Sequence, residues 1–112
     1  METIEIEKSK ALIIDEIIEY VSHSVVSKTI IKKATGNISV TAVDSGEGLT
    51  EKISPFDTFT QIIDGKAEIV IDGNSIQLET GQSIIIPAHT PNIVKGNERF
   101  KMISTIIKSG YE

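Results

Sequence analysis

Residues 58–73 read TFTQIIDGKAEIVIDG. Two β-rich runs, 58–63 and 67–71, each stop at an Asp-Gly pair, Asp64-Gly65 and Asp72-Gly73. Glycine takes positive φ freely and aspartate tolerates it, so both pairs read as hairpin turns. The same grammar extends outward. Upstream, a run over 25–33 meets a turn signal at Gly36-Asn37, then 38–43, then a Ser45-Gly46-Glu47-Gly48 loop. Downstream, 75–78, 83–86, 92–95 and 100–107 follow at regular spacing. Roughly eight or nine short strands with no internal repeat predict an all-β chain, a jelly-roll sandwich or small barrel.

Several of these runs are apolar on both faces, notably Ile62-Ile63, Ile84-Ile85-Ile86 and Ile106-Ile107. An antiparallel sheet with one wet face alternates more cleanly, so a second apolar face needs cover. A partner subunit, giving a homodimer, and the N-terminal segment folding over the sheet are both open. That segment is ambiguous: Leu12, Ile13, Ile17 and Tyr20 stand near helical spacing in an isoleucine-rich stretch. Residues 1–24 are therefore read as a short helix or irregular entry segment, and 25–108 as the barrel.

Composition narrows the function classes. At 112 residues the chain suits one domain. With 11 Lys and Arg against 16 Asp and Glu the formal charge is −5, which disfavours nucleic acid, since neutralising phosphates needs a basic footprint. The absence of cysteine removes disulfides, thiolate metal sites and a cysteine nucleophile. METIEIEKSK lacks the basic and apolar regions of a signal peptide, and no apolar run nears the roughly 20 residues of a membrane helix. A cytoplasmic location is the expectation.

Spacing then becomes specific. Gly46 is followed by Lys52, Ser54, Thr58 and Gly65, and a second stretch, GQSIIIPAHTPN, runs from Gly81 through Pro87 to Asn92. This pattern resembles the two motifs of the cupin superfamily, and most of all its small, single-domain conserved-barrel (cupin 2) members. Gly46-Glu47-Gly48-Leu49, Pro55-Phe56-Asp57 and Pro87-Ala88 match segments of a subset of small cupins. The resemblance spans about 25–108 and implies a cupin jelly-roll barrel. It also implies where a metal would sit, because metal-binding cupins carry two histidines, a carboxylate and a third histidine at the positions held here by Lys52, Ser54, Thr58 and Asn92. Lysine at neutral pH has no free lone pair, and hydroxyls and amides bind transition metals feebly. No metal and no cofactor are therefore expected.

The resemblance places Lys52, Ser54, Thr58 and Asn92 at the barrel mouth, with His89 in the turn just before. Lys52 would recruit a carboxylate or phosphate, or serve as a base if desolvated; equally, it would snorkel to solvent or pair with Asp57 or Glu51. His89 would supply an acid or base near neutral pH, or sit on the surface. His23 has no partner in sequence, and Asp57 reads as a turn or salt-bridge residue. Two functions follow. One is a binding module for a small polar or anionic molecule. The other is a metal-independent enzyme of epimerase or isomerase type, needing Lys52 and His89 to face one cavity; Tyr20 and Tyr111 lie near the chain ends and offer it no third partner.

Overall fold

The computed structural model describes residues 6–108; Tyr111 lies outside them. After one 3-10 turn, Ile14–Glu16, eight strands follow: β1 Val25–Lys33, β2 Gly36–Val43, β3 Gly48–Lys52, β4 Thr58–Ile71, β5 Asn74–Glu79, β6 Ser83–Ile86, β7 Asn92–Lys95 and β8 Phe100–Ile107. All pairings are antiparallel. The hydrogen-bonded order is β1-β2-β8-β4-β7-β3, with β5 and β6 also on β4.

β4 organises this arrangement. Its first half pairs with β8 and β6, and its second half with β7 and β5. One strand thus belongs to two sheets and folds them face to face, as the jelly roll requires. The crossing lies at a register shift between Ile62 and Asp64, followed by Gly65 at φ +86°. A β-bulge of this kind bends its strand and increases the local twist.

Two turn assignments made from the sequence change here. Asp64-Gly65 is no hairpin; it sits inside β4, where a Cβ on Gly65 would come within 2.2 Å of the Arg99 carbonyl oxygen. Gly36-Asn37 is likewise in a strand, because Lys33 pairs directly with Gly36 and leaves Ala34-Thr35 as the turn. A Cβ on Gly36 would meet the Ile106 carbonyl oxygen at 2.6 Å. Both glycines serve close backbone approach. Asp72-Gly73 is the hairpin expected: Ile71 pairs with Asn74, and both intervening residues have positive φ.

The sheets close on each other near Gly65 and Phe100. Val43, Ile62, Ala67, Ile69, Leu78, Val94, Phe100 and Met102 pack there as one buried cluster. A second cluster lies on the outside of the first sheet, where Ile17, Ile18 and Tyr20 of the N-terminal segment cover Val40, Ala42, Ile63 and Ile103. Over residues 6–24 that segment is irregular apart from one 3-10 turn. Polar bonds hold it down. The Tyr20 hydroxyl donates to Asp64 Oδ2 at 2.6 Å, Lys101 Nζ lies 3.2 Å from Asp15 Oδ1, and Arg99 pairs with Asp44 at 3.1 Å over the Tyr20 ring. Burial and then the Asp64 carboxylate push the Tyr20 phenol above its ordinary pKa. The backbone N–H groups of His23 and then Ser45 hold the Asp44 carboxyl below its usual range. His23 therefore contributes through its backbone, at φ 58°.

The described part of the N-terminal segment covers only part of the outer face. Phe59, Ile85 and Ile107 remain 41%, 63% and 56% exposed, and with Thr105 and Asp57 they outline an open apolar hollow.

The role of Gly65 is measurable. Gly65→Ala is expected to cost roughly 3 kcal/mol, combining left-handed backbone strain with a clash against the Arg99 carbonyl. Gly73→Ala, with the same sign of φ but open space around the added methyl, should cost only about 1 kcal/mol. Equal losses in urea unfolding would show that the close approach at Gly65 is unimportant.

Candidate functional site

The inner face of the first sheet is built in levels that its registers define. At the closed end Val43 pairs with Phe100, and Phe100 with Gly65. Next come Thr41, Met102 and Ile62, then Ser39, Ser104 and Thr60. At the open end Asn37 pairs with Ile106, and Thr58 with both Ile106 and Ile86. Side chains alternate across a strand, so residues two apart share the inner face. The inner face thus turns from apolar to hydroxyl-bearing as the sheets diverge. The space left is a cavity of about 210 Å³.

Eight of its fifteen lining residues are serine or threonine, and the others are Leu49, Ile86, Val94, Met102, Ile106, Lys52 and Asn92. Among the described residues Lys52 is the one charged residue in that lining, at the exposed rim of the opening. Its inward course comes from a bulge. Leu49 pairs with Val94 and Lys52 with Asn92, so β3 advances three residues while β7 advances two. The extra residue turns Lys52 toward the cavity where strict alternation would have presented Glu51. Lys52 forms no ion pair with any described residue. The Asn92 side-chain nitrogen donates to the Lys52 and Thr90 carbonyl oxygens, both at 3.3 Å, tying β7 to β3 at the mouth.

Two loops frame the opening. The His89 backbone N–H donates to the Ser54 carbonyl at 2.6 Å, and Asp57 Oδ1 accepts from the Ala88 N–H at 2.8 Å. The Ser54 hydroxyl accepts from the Phe56 N–H at 3.1 Å, so part of its capacity goes to its own turn.

Of the five site residues expected from the sequence, the fold brings Lys52, Ser54, Thr58 and Asn92 around one cavity. His89 is not among the lining residues; it has φ 61° and anchors the loop through its backbone. Lys52 and His89 therefore do not face a common cavity. Tyr20, bonded to Asp64 beneath the N-terminal segment, is remote from it too. The sequence motifs also missed Ser27, Ser39, Thr41, Thr50, Thr60 and Ser104, all in the lining. Their signal was present as alternation: SVT in β2 and TFT in β4 put hydroxyls at every second position.

Against known proteins, no family model and no curated protein matches the chain. Solved structures do. A conserved protein of unknown function from Streptococcus pyogenes superposes with a TM-score of 0.89 at 28% identity, covering 99% of this chain and 98% of that one. A cupin superfamily protein from Desulfitobacterium hafniense gives 0.88 at 25% identity over 97% and 100%. This chain is a small cupin-type protein. A cupin 2 conserved barrel domain protein from Leptotrichia buccalis is similar as well, with a TM-score of 0.81 and 28% identity over 84% of this cupin and 46% of its own chain.

Many cupins hold a transition metal at the barrel mouth, so the donor set of this one matters. Lys52, Ser54, Thr58 and Asn92 do not make such a ligand set, because an ammonium offers no lone pair, and two hydroxyls and an amide are poor ligands for these ions. Among the described residues no three of His, Cys, Asp and Glu cluster closely enough to hold an ion. Elemental analysis of the purified protein should find no stoichiometric transition metal, and added manganese, iron, nickel or zinc should leave its melting temperature unchanged. One metal per chain, displaced by substitution of a cavity residue, would contradict this.

Proposed function

We propose that this cupin is a binding module that takes a small anionic molecule into the open end of its barrel. The observation carrying the proposal is the charge of the lining. Lys52 is the sole charged residue among the fifteen, without a carboxylate partner among the described residues, and it is surrounded by neutral hydrogen-bonding groups. A charge-assisted bond from an ammonium to a carboxylate or phosphate is among the stronger polar contacts. In a chain of net charge −5 a locally positive cavity also stands out electrostatically.

Proton-transfer catalysis draws less support. It needs an acid and a base within reach of one substrate, and among the described residues the cavity lining contains no histidine, tyrosine or carboxylate.

A thermal-shift screen of small carboxylates and phosphate esters should reveal stabilising compounds, because a ligand that binds only the folded state raises the melting temperature. Lys52→Met keeps the apolar stem and removes the charge. It should weaken binding of those compounds at least about tenfold while the fold survives. Unchanged affinity in Lys52→Met would overturn the reading.

The same reading includes a homodimer formed through the uncovered part of the first sheet. The Phe59, Ile85 and Ile107 hollow supports it, since monomers rarely expose contiguous apolar patches without a use. Light scattering at micromolar concentration should return twice the chain mass, and Ile85→Asp should halve it. A monomer mass for the unmodified protein would refute the dimer.

A further inference from the structure

Between the mouth and the packed core lies a level of the cavity that the motif positions do not touch. Ser39 on β2 pairs with Ser104 on β8, and Ser104 with Thr60 on β4. Three hydroxyl side chains therefore stand abreast on neighbouring strands, about 4.8 Å apart. All three line the cavity. Thr60 is only 2% exposed, yet none of the three side chains has a hydrogen-bond partner among the described residues. One level deeper the situation differs, because Thr41 and Ser27 satisfy each other at 2.9 Å. The hydroxyls of Ser39, Ser104 and Thr60 open into the cavity and are not sealed in the core, and a β interior with nothing to bind would carry Val or Ile here, as Ile62 does nearby. The row has donors and acceptors to spare and faces the cavity.

The opposite wall, from β3 and β7, places Leu49 and Val94 inward as an apolar pair, with Thr50 also in the lining. Among the described residues the cavity therefore combines one cation at its mouth, a row of hydroxyls further in, and an apolar pair across from that row. Thr58 at the mouth and Thr60 in the row are two residues apart on β4, roughly 7 Å, a distance spanned by a chain of about six carbons.

Resting on the anion-binding reading of the same cavity, we infer that the ligand class is a hydroxy- or oxocarboxylate of about this length. Its carboxylate meets Lys52, and the oxygen atoms along its chain bond to Ser39, Ser104 and Thr60. The C–H edge of the chain lies against Leu49 and Val94. An amine-bearing ligand fits less well, because among the described residues no carboxylate lines the cavity to receive it.

Three six-carbon probes separate the contributions: gluconate carries a carboxylate and hydroxyls, hexanoate the carboxylate alone, and sorbitol hydroxyls alone. Calorimetric titration of the full chain should show gluconate binding about tenfold more tightly than either of the others. The double variant Thr60→Val, Ser104→Ala should bring gluconate down to the level of hexanoate and leave hexanoate unchanged. If that variant does not fold, Ser39→Ala alone should reduce gluconate binding severalfold without affecting hexanoate. Hexanoate binding as tightly as gluconate in the unmodified protein would overturn this inference and leave the anion reading standing. Sorbitol binding as tightly as gluconate, with Lys52→Met silent, would overturn both, as would the failure of all three to bind.

Discussion

The passage of β4 from one sheet to the other is the constraint on which the molecule depends. A strand of 14 residues cannot serve two facing sheets without a sharp change of direction, and the bulge at Ile62–Asp64 with Gly65 supplies it. At that point the Arg99 backbone comes so close that no side chain fits. The sheets are consequently pressed together around Phe100, Ile62 and Ile69, all fully buried. They diverge with distance from the crossing, so one end of the barrel is filled by side chains and the other is open. The closed core and the candidate site are two ends of one geometry.

Polar groups follow the same gradient and differ in how they are satisfied. On the outer face, Arg99 and Lys101 are matched by Asp44 and Asp15, and the Tyr20 phenol by Asp64. The Asp15 and Tyr20 contacts, with the His23 N–H donating to Asp44, fasten the N-terminal segment to the sheet, where Ile17 and Ile18 already bury apolar surface. Inside the barrel the pattern is the opposite. Lys52 lacks a counter-charge, and the hydroxyls of Ser39, Ser104 and Thr60 lack protein partners, among the described residues. A barrel interior built for stability alone would be filled with apolar side chains, whereas these hydroxyls open into a cavity with Lys52 at its exposed rim. The contrast supports reading the cavity as a place for a ligand.

Much of the fold was legible in the sequence, for reasons that can be named. β-rich runs between turn signals at 25–33, 83–86, 92–95 and 100–107 marked strands that the structure reproduces as β1, β6, β7 and β8. The motif glycines and Pro87 pointed to the cupin architecture. What escaped was tertiary. Asp64-Gly65 and Asp72-Gly73 are the same dipeptide, and only the approach of the Arg99 backbone makes the first a strand crossing and the second a hairpin. β3 was hidden because GLTEK is mostly polar and exposed. Motif spacing picked out Lys52, Ser54, Thr58 and Asn92, which the fold brings into one cavity lining, but His89 was drawn in by proximity in sequence alone. Its φ of 61° and backbone bond to Ser54 fix the loop and leave it outside the lining. The hydroxyl row was unreadable from motifs, since its members come from three strands joined only by register.

The most direct test of the central claim, that the open barrel end is the binding site, is amide chemical-shift mapping by NMR during titration with gluconate. Saturable shifts are predicted at Lys52, Thr58, Thr60, Asn92 and Ser104, with the closed end near Gly65 and Phe100 unaffected. Saturable shifts confined to the outer surface, for example around Lys32 and Lys33 or the Phe59–Ile85 hollow, would contradict it.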